Sequence, residues 1–392
     1  MQVNPQQWID DGYIILRQVV PPDRLDSLRA SYEKLVERQH QIWAGELEWD
    51  EPIGMDYKAK QPRIVLNSVV DAARAETVEF CLHDNTLGVS RQIMQAPDAS
   101  PTAMFFMCNP KTHHGPDRWH RDSGGRRQAP LRGLQEDMLA NTPASVQWNI
   151  PLYDDDVLWI VPGSHRRANT PDEDRQLAEK RRVPLPGGMQ VKLNAGDGVV
   201  YSNMILHWPS NYSTKLRRVI HLSYRPFGGQ VYPYSAYFYW NLRFTRHLSQ
   251  AARAQFEHFV QLSAEEHDHV EAFFHAVLAR DEAAFRAELA VLHPGEAERI
   301  VCVVLLSRLA TKIYELRTPE IASLPLNARA KAVGDQPTSL YLAEDIAGRF
   351  STEEVELLRQ RFAPLETSLD SDVEMPADFG VDEFVTSWGQ HK

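Results

Sequence analysis

Short strand-like segments between residues 102 and 224 constrain the fold of this chain more than any other feature of its sequence. Turn residues separate them, for example the Asp run at 154–156 and the Pro-Gly-Gly at 186–188. Many short strands with frequent turn signals are typical of a β-sandwich or barrel. The predicted strands are 103–108, 145–150, 157–161, 189–193, 199–201 and 218–224. The charged stretch 165–185 is expected to be a solvated excursion between strands.

Helical patterns flank this region on both sides. Asn4 and Pro5 predict the start of a short helix over 5–10, and a longer helix runs from the prolines at 21–22 to about residue 43. Residues 71–95 also have a helical pattern. Later helices are expected at 246–262, 264–279, 282–292 and 295–317, with a Ser263–Glu266 capping box between the first two. The predicted fold class is α+β with a mainly β core, N-terminal packing helices and a C-terminal helical extension.

Changes in composition divide the chain into three regions. The β core and its packing helices occupy residues 1–230, a helical extension occupies 231–364, and an acidic tail occupies 365–392. The tail has little apolar content, so we expect it to be partly disordered or to lie over the surface. The aromatic run 231–240 is expected to pack between substructures.

Charge and cysteine usage exclude several classes of protein. The net charge of -11 argues against a nucleic-acid-binding role. The three cysteines (Cys81, Cys108 and Cys302) form no CxxC pair, which favours reduced thiols in the cytoplasm over a disulfide framework or a thiolate zinc site. The N-terminus has no signal-peptide pattern, and the apolar run 300–306 is too short to cross a membrane.

A His-x-Asp motif at His120 and Asp122 is the strongest candidate for chemistry. Residues i and i+2 of a strand point to the same face, so both side chains can reach one metal ion. One further histidine would complete a two-His-one-carboxylate triad, the ligand set of non-haem iron(II) oxygenases. His207 and His221 both lie in strand-like contexts downstream and are the candidates for the third ligand. With 15 histidines in the chain, the motif alone is weak evidence.

Arg218 stands eleven residues after His207, where an apolar strand begins. A buried arginine needs an anionic partner, and a dicarboxylate cosubstrate would provide a bidentate one. A non-catalytic binding protein, or a metal hydrolase on a cupin-like barrel, gives no reason for an arginine at this place.

Taken together, these residues resemble the phytanoyl-CoA dioxygenase family of iron(II)- and 2-oxoglutarate-dependent oxygenases. The resemblance covers roughly residues 8–226. It includes the Asp11-Gly-Tyr-Ile-Ile-Leu16 segment, Trp-His-x-Asp at 119–122, the 158–165 segment ending in Pro-Gly-Ser-His, Gly196-Asp197, and the stretch from His207 to Arg218.

The resemblance implies a double-stranded β-helix, a jelly roll of the cupin-like kind, over residues 1–230. It also implies that His120, Asp122 and His207 bind Fe(II). Arg218 would pair with the distal carboxylate of 2-oxoglutarate, and O2 would be the second cosubstrate. The remaining implied cosubstrate contacts are the pocket aromatic Trp148 and the polar residues Asn211 and Thr214.

The activity implied is hydroxylation of an unactivated C–H bond in a small organic molecule, with release of succinate and CO2. Desaturation, cyclisation or demethylation at the same site, and a non-catalytic metal-binding jelly-roll protein, are the alternatives. Related halogenating enzymes have a small residue in place of the carboxylate, so Asp122 favours oxygen transfer. Ser210 is shifted by one position from the family pattern, the Asp run at 154–156 replaces its Asn-Gly turn, and the last 160 or so residues have no counterpart.

The expected partner is a small-molecule substrate, with no nucleic acid and no membrane. Arg121, Arg126 and Arg127 flank the motif and would suit an anionic substrate, although such a run is more often a solvated face. A homodimer through the C-terminal helices is one role for the extension. We expect His165 to stabilise a loop, and His267 and His269 to be solvated.

Overall fold

The computed structural model describes residues 1–47, 59–124, 128–210, 214–227, 241–334 and 340–389. Nine strands are assigned within them, and the sequence predicted most of them to within a few residues. They are β1 Tyr13–Leu16, β2 Arg63–Val65, β3 Ser100–Cys108, β4 Val146–Pro151, β5 Leu158–Ile160, β6 Met189–Gln190, β7 Gly198–Tyr201, β8 His207–Pro209 and β9 Arg218–Arg225.

The α-helices lie before, between and after these strands. They are α1 Pro5–Asp11, α2 Leu25–Trp43, α3 Leu66–Val69, α4 Glu76–Glu79, α5 Val89–Met94, α6 Leu131–Ala140, α7 Pro171–Ala178, α8 Gln250–Ala279, α9 Glu282–Leu292, α10 Arg299–Arg317, α11 Pro319–Ala322, α12 Leu326–Ala332, α13 Tyr341–Gly348, α14 Thr352–Ser368 and α15 Val381–Ser387. No helix within the described residues is long and apolar enough to cross a membrane.

The chain forms two compact units. The first comprises the described parts of Met1–Asp122, Ser145–Arg225 and Asn241–Glu257. The second comprises the described parts of Ser123–Ala144, Pro226–Trp240 and His258–Lys392. All nine strands belong to the first unit.

Two antiparallel sheets build the first unit. The larger has the order β1-β7-β4-β9-β3-β2, and the smaller has the order β6-β5-β8. Val199 and Tyr201 of the larger sheet share a buried cluster with Leu158 and Ile160 of the smaller one. The fold is therefore a mixture of helices and antiparallel sheets, with a core between the sheets, as the alternating segments predicted.

The opposite face of the larger sheet packs against the N-terminal helices. Tyr32 of α2 stacks on Phe106 of β3 with ring centroids 4.2 Å apart. Trp148 of β4 donates a hydrogen bond from Nε1 to Ser90 Oγ on α5, at 2.9 Å. Because side chains alternate along a strand, the residues beside Trp148 in β4, Gln147 and Asn149, point to the other sheet. The polar face of the large sheet is thus the one that the small sheet covers.

The second unit is helical and has an apolar core of its own. Phe273 and Phe274 of α8 and the apolar run of α10 are buried in it. The acidic tail also takes part, because α15 buries Phe384, whose ring stacks on Phe362 of α14. This part of the tail is therefore anchored by aromatic packing.

The 165–185 stretch is largely exposed, as expected, and it contains α7, which begins with a capping box of Thr170 and Glu173. Two other local expectations need correction. The two helices expected at 246–262 and 264–279 are the single helix α8, because no Gly or Pro interrupts residues 250–279 and Ser263 lies inside it. His267 is buried beside Asp345 and is not solvated. The aromatic run 231–240 lies outside the described residues.

Candidate metal centre

Three potential metal ligands meet between the two sheets: His120, Asp122 and His207. Each offers one ligand atom, and these atoms lie within 4.8 Å of one another. His207 Nε2 is 3.3 Å from Asp122 Oδ2, and His120 Nε2 is 3.5 Å from Asp122 Oδ1. Among the described residues this is the one group of three or more metal-ligating side chains at such spacing. We call it the triad.

Backbone pairing brings the two histidines together. His120 and His207 form an isolated antiparallel bridge, in which each backbone N–H donates to the carbonyl of the other at 3.0 Å. Asp122 N donates to Asn203 O at 2.8 Å, outside the register of that single bridge. The His-x-Asp motif brings both of its side chains to the triad, as expected.

Each imidazole is oriented through its second ring nitrogen. His120 Nδ1 lies 2.9 Å from Arg118 O, and His207 Nδ1 lies 3.0 Å from Ile205 O. A carbonyl oxygen only accepts, so Nδ1 carries the hydrogen in both rings. The lone pair of each neutral ring is then on Nε2, which faces Asp122. Metal-binding histidines are oriented in this way.

The triad is electrostatically coupled. Desolvation alone raises the pKa of Asp122, but the charge and hydrogen bond of His207, together with His120, hold that pKa below its usual range. Burial lowers the pKa of His207, yet Asp122 raises it overall. Burial and the neighbouring His207 lower the pKa of His120. Asp122 is therefore ionised at neutral pH, as a metal ligand must be.

Gln147 of β4 supports the carboxylate from the sheet. Its Nε2 donates to Asp122 Oδ2 at 3.0 Å. In the ladder Gln147 lies opposite Ser223 of β9 and Tyr201 of β7, and the Tyr201 ring lies 5.6 Å from the His207 ring, centroid to centroid. Sequence reasoning missed Gln147, although the alternation of β4 placed it on the opposite face from Trp148.

Arg121, between the two ligands of the motif, points away from the triad. Its guanidinium donates to the carbonyls of Ser164 and Met204 and, at 2.7 Å, to Asn169 Oδ1. Ser164 Oγ in turn accepts from Leu206 N at 2.8 Å, one residue before His207. Arg121 thus joins the segments that carry the ligands and is not available to an anionic substrate. Arg126 and Arg127 lie outside the described residues.

Arg218 and Trp148 are not brought to the triad. The Arg218 guanidinium is bound by Glu33 of α2 and by Asn109 Oδ1. Trp148 lies opposite Leu222 in the ladder, and Leu222 shares its strand face with Arg218. Both side chains therefore belong to the face covered by helices. This position of the two side chains does not support the contacts that we expected Arg218 and Trp148 to make with the cosubstrate.

Arg63 and, more weakly, Arg217 are the arginines whose charges act on His221 at the polar face. Burial lowers the pKa of His221 to about 3, with help from the positive charges of Arg63 and then of Arg217. Arg217 is only 8% exposed, and its Nε donates to Asp155 Oδ2 at 2.7 Å. Its buried Nη1 has no hydrogen-bond partner among the described residues.

The other candidate residues have local roles. His221, the alternative third ligand, lies outside the triad and pairs with Asn149 Oδ1 through Nδ1 at 2.8 Å. His165 is buried and bonds Ile9 O through Nε2 at 2.8 Å, which is the loop-stabilising role expected of it. Thr214 is exposed, and its carbonyl accepts from Asn109. Asn211 lies outside the described residues.

Comparisons with known proteins identify relatives of the β-core region. A family model described as "Phytanoyl-CoA dioxygenase (PhyH)" matches residues 8–219. A search of curated proteins found no match to the chain.

Several solved structures are distantly similar to this chain. The epimerase SnoN, in complex with Fe3+, alpha ketoglutarate and nogalamycin RO, is 14% identical with a TM-score of 0.39, over 57% of this chain and 82% of that chain. The carbocyclase SnoK from nogalamycin biosynthesis is 21% identical with a TM-score of 0.39, over 57% and 83%. EctD from S. alaskensis, with 2-oxoglutarate and 5-hydroxyectoine, is 13% identical with a TM-score of 0.42, over 58% and 77%.

Proposed function

Because the chain belongs to the phytanoyl-CoA dioxygenase family, we propose that it hydroxylates an unactivated C–H bond of a small organic molecule. Iron(II) is its metal, and 2-oxoglutarate and O2 are its cosubstrates, with succinate and CO2 as the coproducts. The single observation that carries the proposal is the triad of His120, Asp122 and His207, with its ligand atoms within 4.8 Å.

The donor set of the triad fits ferrous iron. Two neutral imidazoles and one carboxylate leave coordination positions for a chelating 2-oxo acid and for O2. Iron bound there supplies the oxidative decarboxylation of 2-oxoglutarate and the oxidising power for C–H cleavage. The residues of the chain orient the ligands: the carbonyls of Arg118 and Ile205 fix the tautomers, and Gln147 holds the carboxylate.

We assign the two-sheet core to the double-stranded β-helix. Its support is the antiparallel pairing within each sheet and the shared cluster of Val199 and Tyr201 with Leu158 and Ile160. In this fold the triad lies between the sheets, and the surrounding loops determine which substrate can bind.

We propose that Arg217 binds the distal carboxylate of 2-oxoglutarate. Its spacing from His207 is one residue shorter than that of Arg218, but its charge reaches His221 on the polar face, and a buried Nη1 lacks a partner among the described residues. A buried donor without an acceptor costs free energy that a carboxylate would recover. Asn211 and Thr214 remain proposed cosubstrate contacts.

Asp122 favours oxygen transfer over halide transfer, because its carboxylate fills the position that a halide would need. This argument separates C–H oxidation from halogenation, and desaturation, cyclisation and demethylation stay as the alternatives to the proposed hydroxylation. Product mass separates hydroxylation, which adds one oxygen atom, from desaturation and cyclisation, which both remove two hydrogens, and from demethylation, which removes CH2; product NMR then separates desaturation from cyclisation.

Anaerobic addition of iron(II) and 2-oxoglutarate to the full chain tests the proposal. A weak visible metal-to-ligand charge-transfer band is expected, and it should be absent in a folded His207→Ala variant. Succinate release on admission of O2, with a candidate substrate present, would then establish turnover. A well-folded, iron-loaded wild-type protein that gives no band would contradict the proposal and favour a non-catalytic metal-binding protein.

A further inference from the structure

A cavity of about 300 Å³ opens beside the first ligand of the triad. It lies within the first unit, between the segment that leads into His120 and the C-terminal end of α7. Its lining residues are Arg118, Trp119, His120, Gln176, Leu177, Lys180 and Arg181. A volume of this size is at the lower end of small-molecule sites.

The lining carries positive charge without a matching negative one. Arg118, Lys180 and Arg181 contribute three cations, and no Asp or Glu lines the cavity. Arg181 is neutralised by Glu179, at 2.5 Å between Nε and Oε2. Arg118 and Lys180 are both exposed to solvent, and neither forms an ion pair with a carboxylate in the described part of the chain. The rim of the cavity therefore presents two solvent-facing cations without a paired carboxylate, in a protein whose net charge is -11.

The C-terminal end of α7, which lies at this cavity, does not strongly disfavour a bound anion. α7 ends at Ala178, and helix C-termini carry partial negative charge on free carbonyls. Here the backbone N–H groups of Lys180 and Arg181 donate to the carbonyls of Leu177 and Gln176, both at 3.1 Å. The terminal carbonyls are thus occupied, while both cationic side chains remain at the cavity.

The cavity also connects to the triad through His120. The His120 side chain is 42% exposed and turns Nε2 toward Asp122, so the ring lies between the cavity and the other two ligands. Trp119 forms an apolar part of the wall and is fixed by stacking on Trp208, with centroids 5.3 Å apart, and by a hydrogen bond to Val183 O. A ligand in the cavity is therefore adjacent to the metal centre without occupying it.

We propose that this cavity binds a phosphate group of the substrate, so that the enzyme oxidises a phosphorylated small molecule. The inference rests on the proposed function, since it names the substrate class of the same centre. A phosphate monoester carries a charge near -2 at pH 7, which matches the two solvent-facing cations, and Arg118 can bind two of its oxygens. A carboxylate would match only one of the two cations.

Calorimetric titration with inorganic sulfate, a dianion with the shape of phosphate, tests the site. The full chain loaded with iron(II) and 2-oxoglutarate, without O2, should bind sulfate saturably. We expect the double variant Arg118→Gln/Lys180→Gln to weaken sulfate binding by about twentyfold, if each cation contributes roughly fivefold. Thermal unfolding of the variant confirms that it is folded.

The matched control removes one arginine and one lysine that lie outside the cavity. Arg175 is on α7 and pairs with Asp172, and Lys192 is exposed; neither lines the cavity. The Arg175→Gln/Lys192→Gln variant should bind sulfate within about twofold of wild type. Equal weakening in both double variants, or no saturable binding to wild type, would overturn the proposal. Acetate binding as tight as sulfate binding would overturn the assignment to a dianion.

The charge-transfer band separates this proposal from the function on which it rests. Loss of the band in wild type would refute the iron and 2-oxoglutarate assignment. A normal band together with unchanged sulfate binding in the Arg118→Gln/Lys180→Gln variant would refute only the phosphate site. The band should also persist at saturating sulfate, and displacement of 2-oxoglutarate by sulfate would assign the cavity to the cosubstrate instead.

Discussion

Glu33 accepts two hydrogen bonds from Arg218, from Nε at 2.8 Å and from Nη2 at 3.1 Å. Glu33 belongs to α2 and Arg218 begins β9, so the pair ties the helical layer to the sheet. A guanidinium bound in this way is already satisfied by a carboxylate of its own chain. The arginine next to it in sequence, Arg217, faces different neighbours, and the two are a natural pair of matched variants.

Arg217→Gln should weaken 2-oxoglutarate binding by roughly 10- to 100-fold, the loss expected for a hydrogen bond between charged groups. Iron affinity should change far less. Arg218→Gln should leave 2-oxoglutarate binding nearly unchanged and lower the free energy of unfolding by about 1 kcal/mol, because Glu33 is partly exposed. Titration of the charge-transfer band and urea denaturation measure these effects. The opposite ranking for 2-oxoglutarate would return the anchoring role to Arg218.

Gln147→Leu should reduce iron affinity by about 10- to 100-fold, because the Asp122 carboxylate loses its amide donor. Metal competition with a calibrated chelator measures the change. Gln190→Leu is the control, since that amide donates to Asp156 O and not to the triad. Unchanged iron affinity in Gln147→Leu would mean that the carboxylate is held in place without this hydrogen bond.

Arg121→Gln should destabilise the protein by about 2–4 kcal/mol, because several buried carbonyls lose a charged donor together. Burial lowers the pKa of Arg121 to about 10, which agrees with a guanidinium held inside the fold. Arg166, whose guanidinium is more exposed beside Asp10, provides Arg166→Gln as a control expected to cost less than about 0.5 kcal/mol. If the two variants were equally stable in urea, the structural role assigned to Arg121 would be contradicted.

The burial of His165 predicts that the protein loses stability in mild acid. Burial lowers the pKa of His165 to about 4, and its Nδ1 has no hydrogen-bond partner among the described residues. The unfolded chain, with a pKa near 6.5, takes up the proton first as the pH falls. This contribution is therefore complete above about pH 6.5 and disappears between there and about pH 4, a loss of about 3 kcal/mol.

Urea denaturation at pH 7 and pH 4.5 measures that loss. His165→Asn should depend less on pH than wild type does, whereas exposed His113→Asn should behave like wild type. A Cβ at Gly12 would lie 2.4 Å from His165 Nδ1, so the ring packs directly against the backbone of Gly12. Identical pH dependence in wild type and His165→Asn would contradict the assignment.

Local sequence patterns were sufficient for most of the strands and for the two ligands of the His-x-Asp motif, whereas the choice of His207 over His221 came from the family resemblance. Alternation fixed β4, β7 and β9 to within about a residue, and the His-x-Asp motif brought both of its side chains to the triad. The face that Arg218 occupies could not be read from its spacing, because one residue of register decides which face of a sheet a side chain occupies. In the structure its guanidinium contacts Glu33 of α2. Gln147 was missed for a related reason, since its role depends on a strand distant in sequence.

For the helices outside the β core, tertiary packing overrides the local sequence signals. The capping pattern at Ser263 and Glu266 is real in the sequence, but tertiary packing of Phe259 and Val270 continues α8 through it. The acidic tail looked too polar to fold alone, and α15 is stabilised by Phe384 in a core formed by distant helices. Neither outcome follows from composition within a short window.

The reciprocal backbone hydrogen bonds between His120 and His207 bear on how a metal ion enters and leaves the site. They hold the two segments that carry these ligands together before any ion binds, so metal binding requires little ordering of the polypeptide. We expect iron exchange to depend on rotation of the half-exposed His120 side chain, since His207 is buried, and not on separation of the paired strands. Iron removed by a chelator should then be restored by added Fe(II) without refolding of the protein.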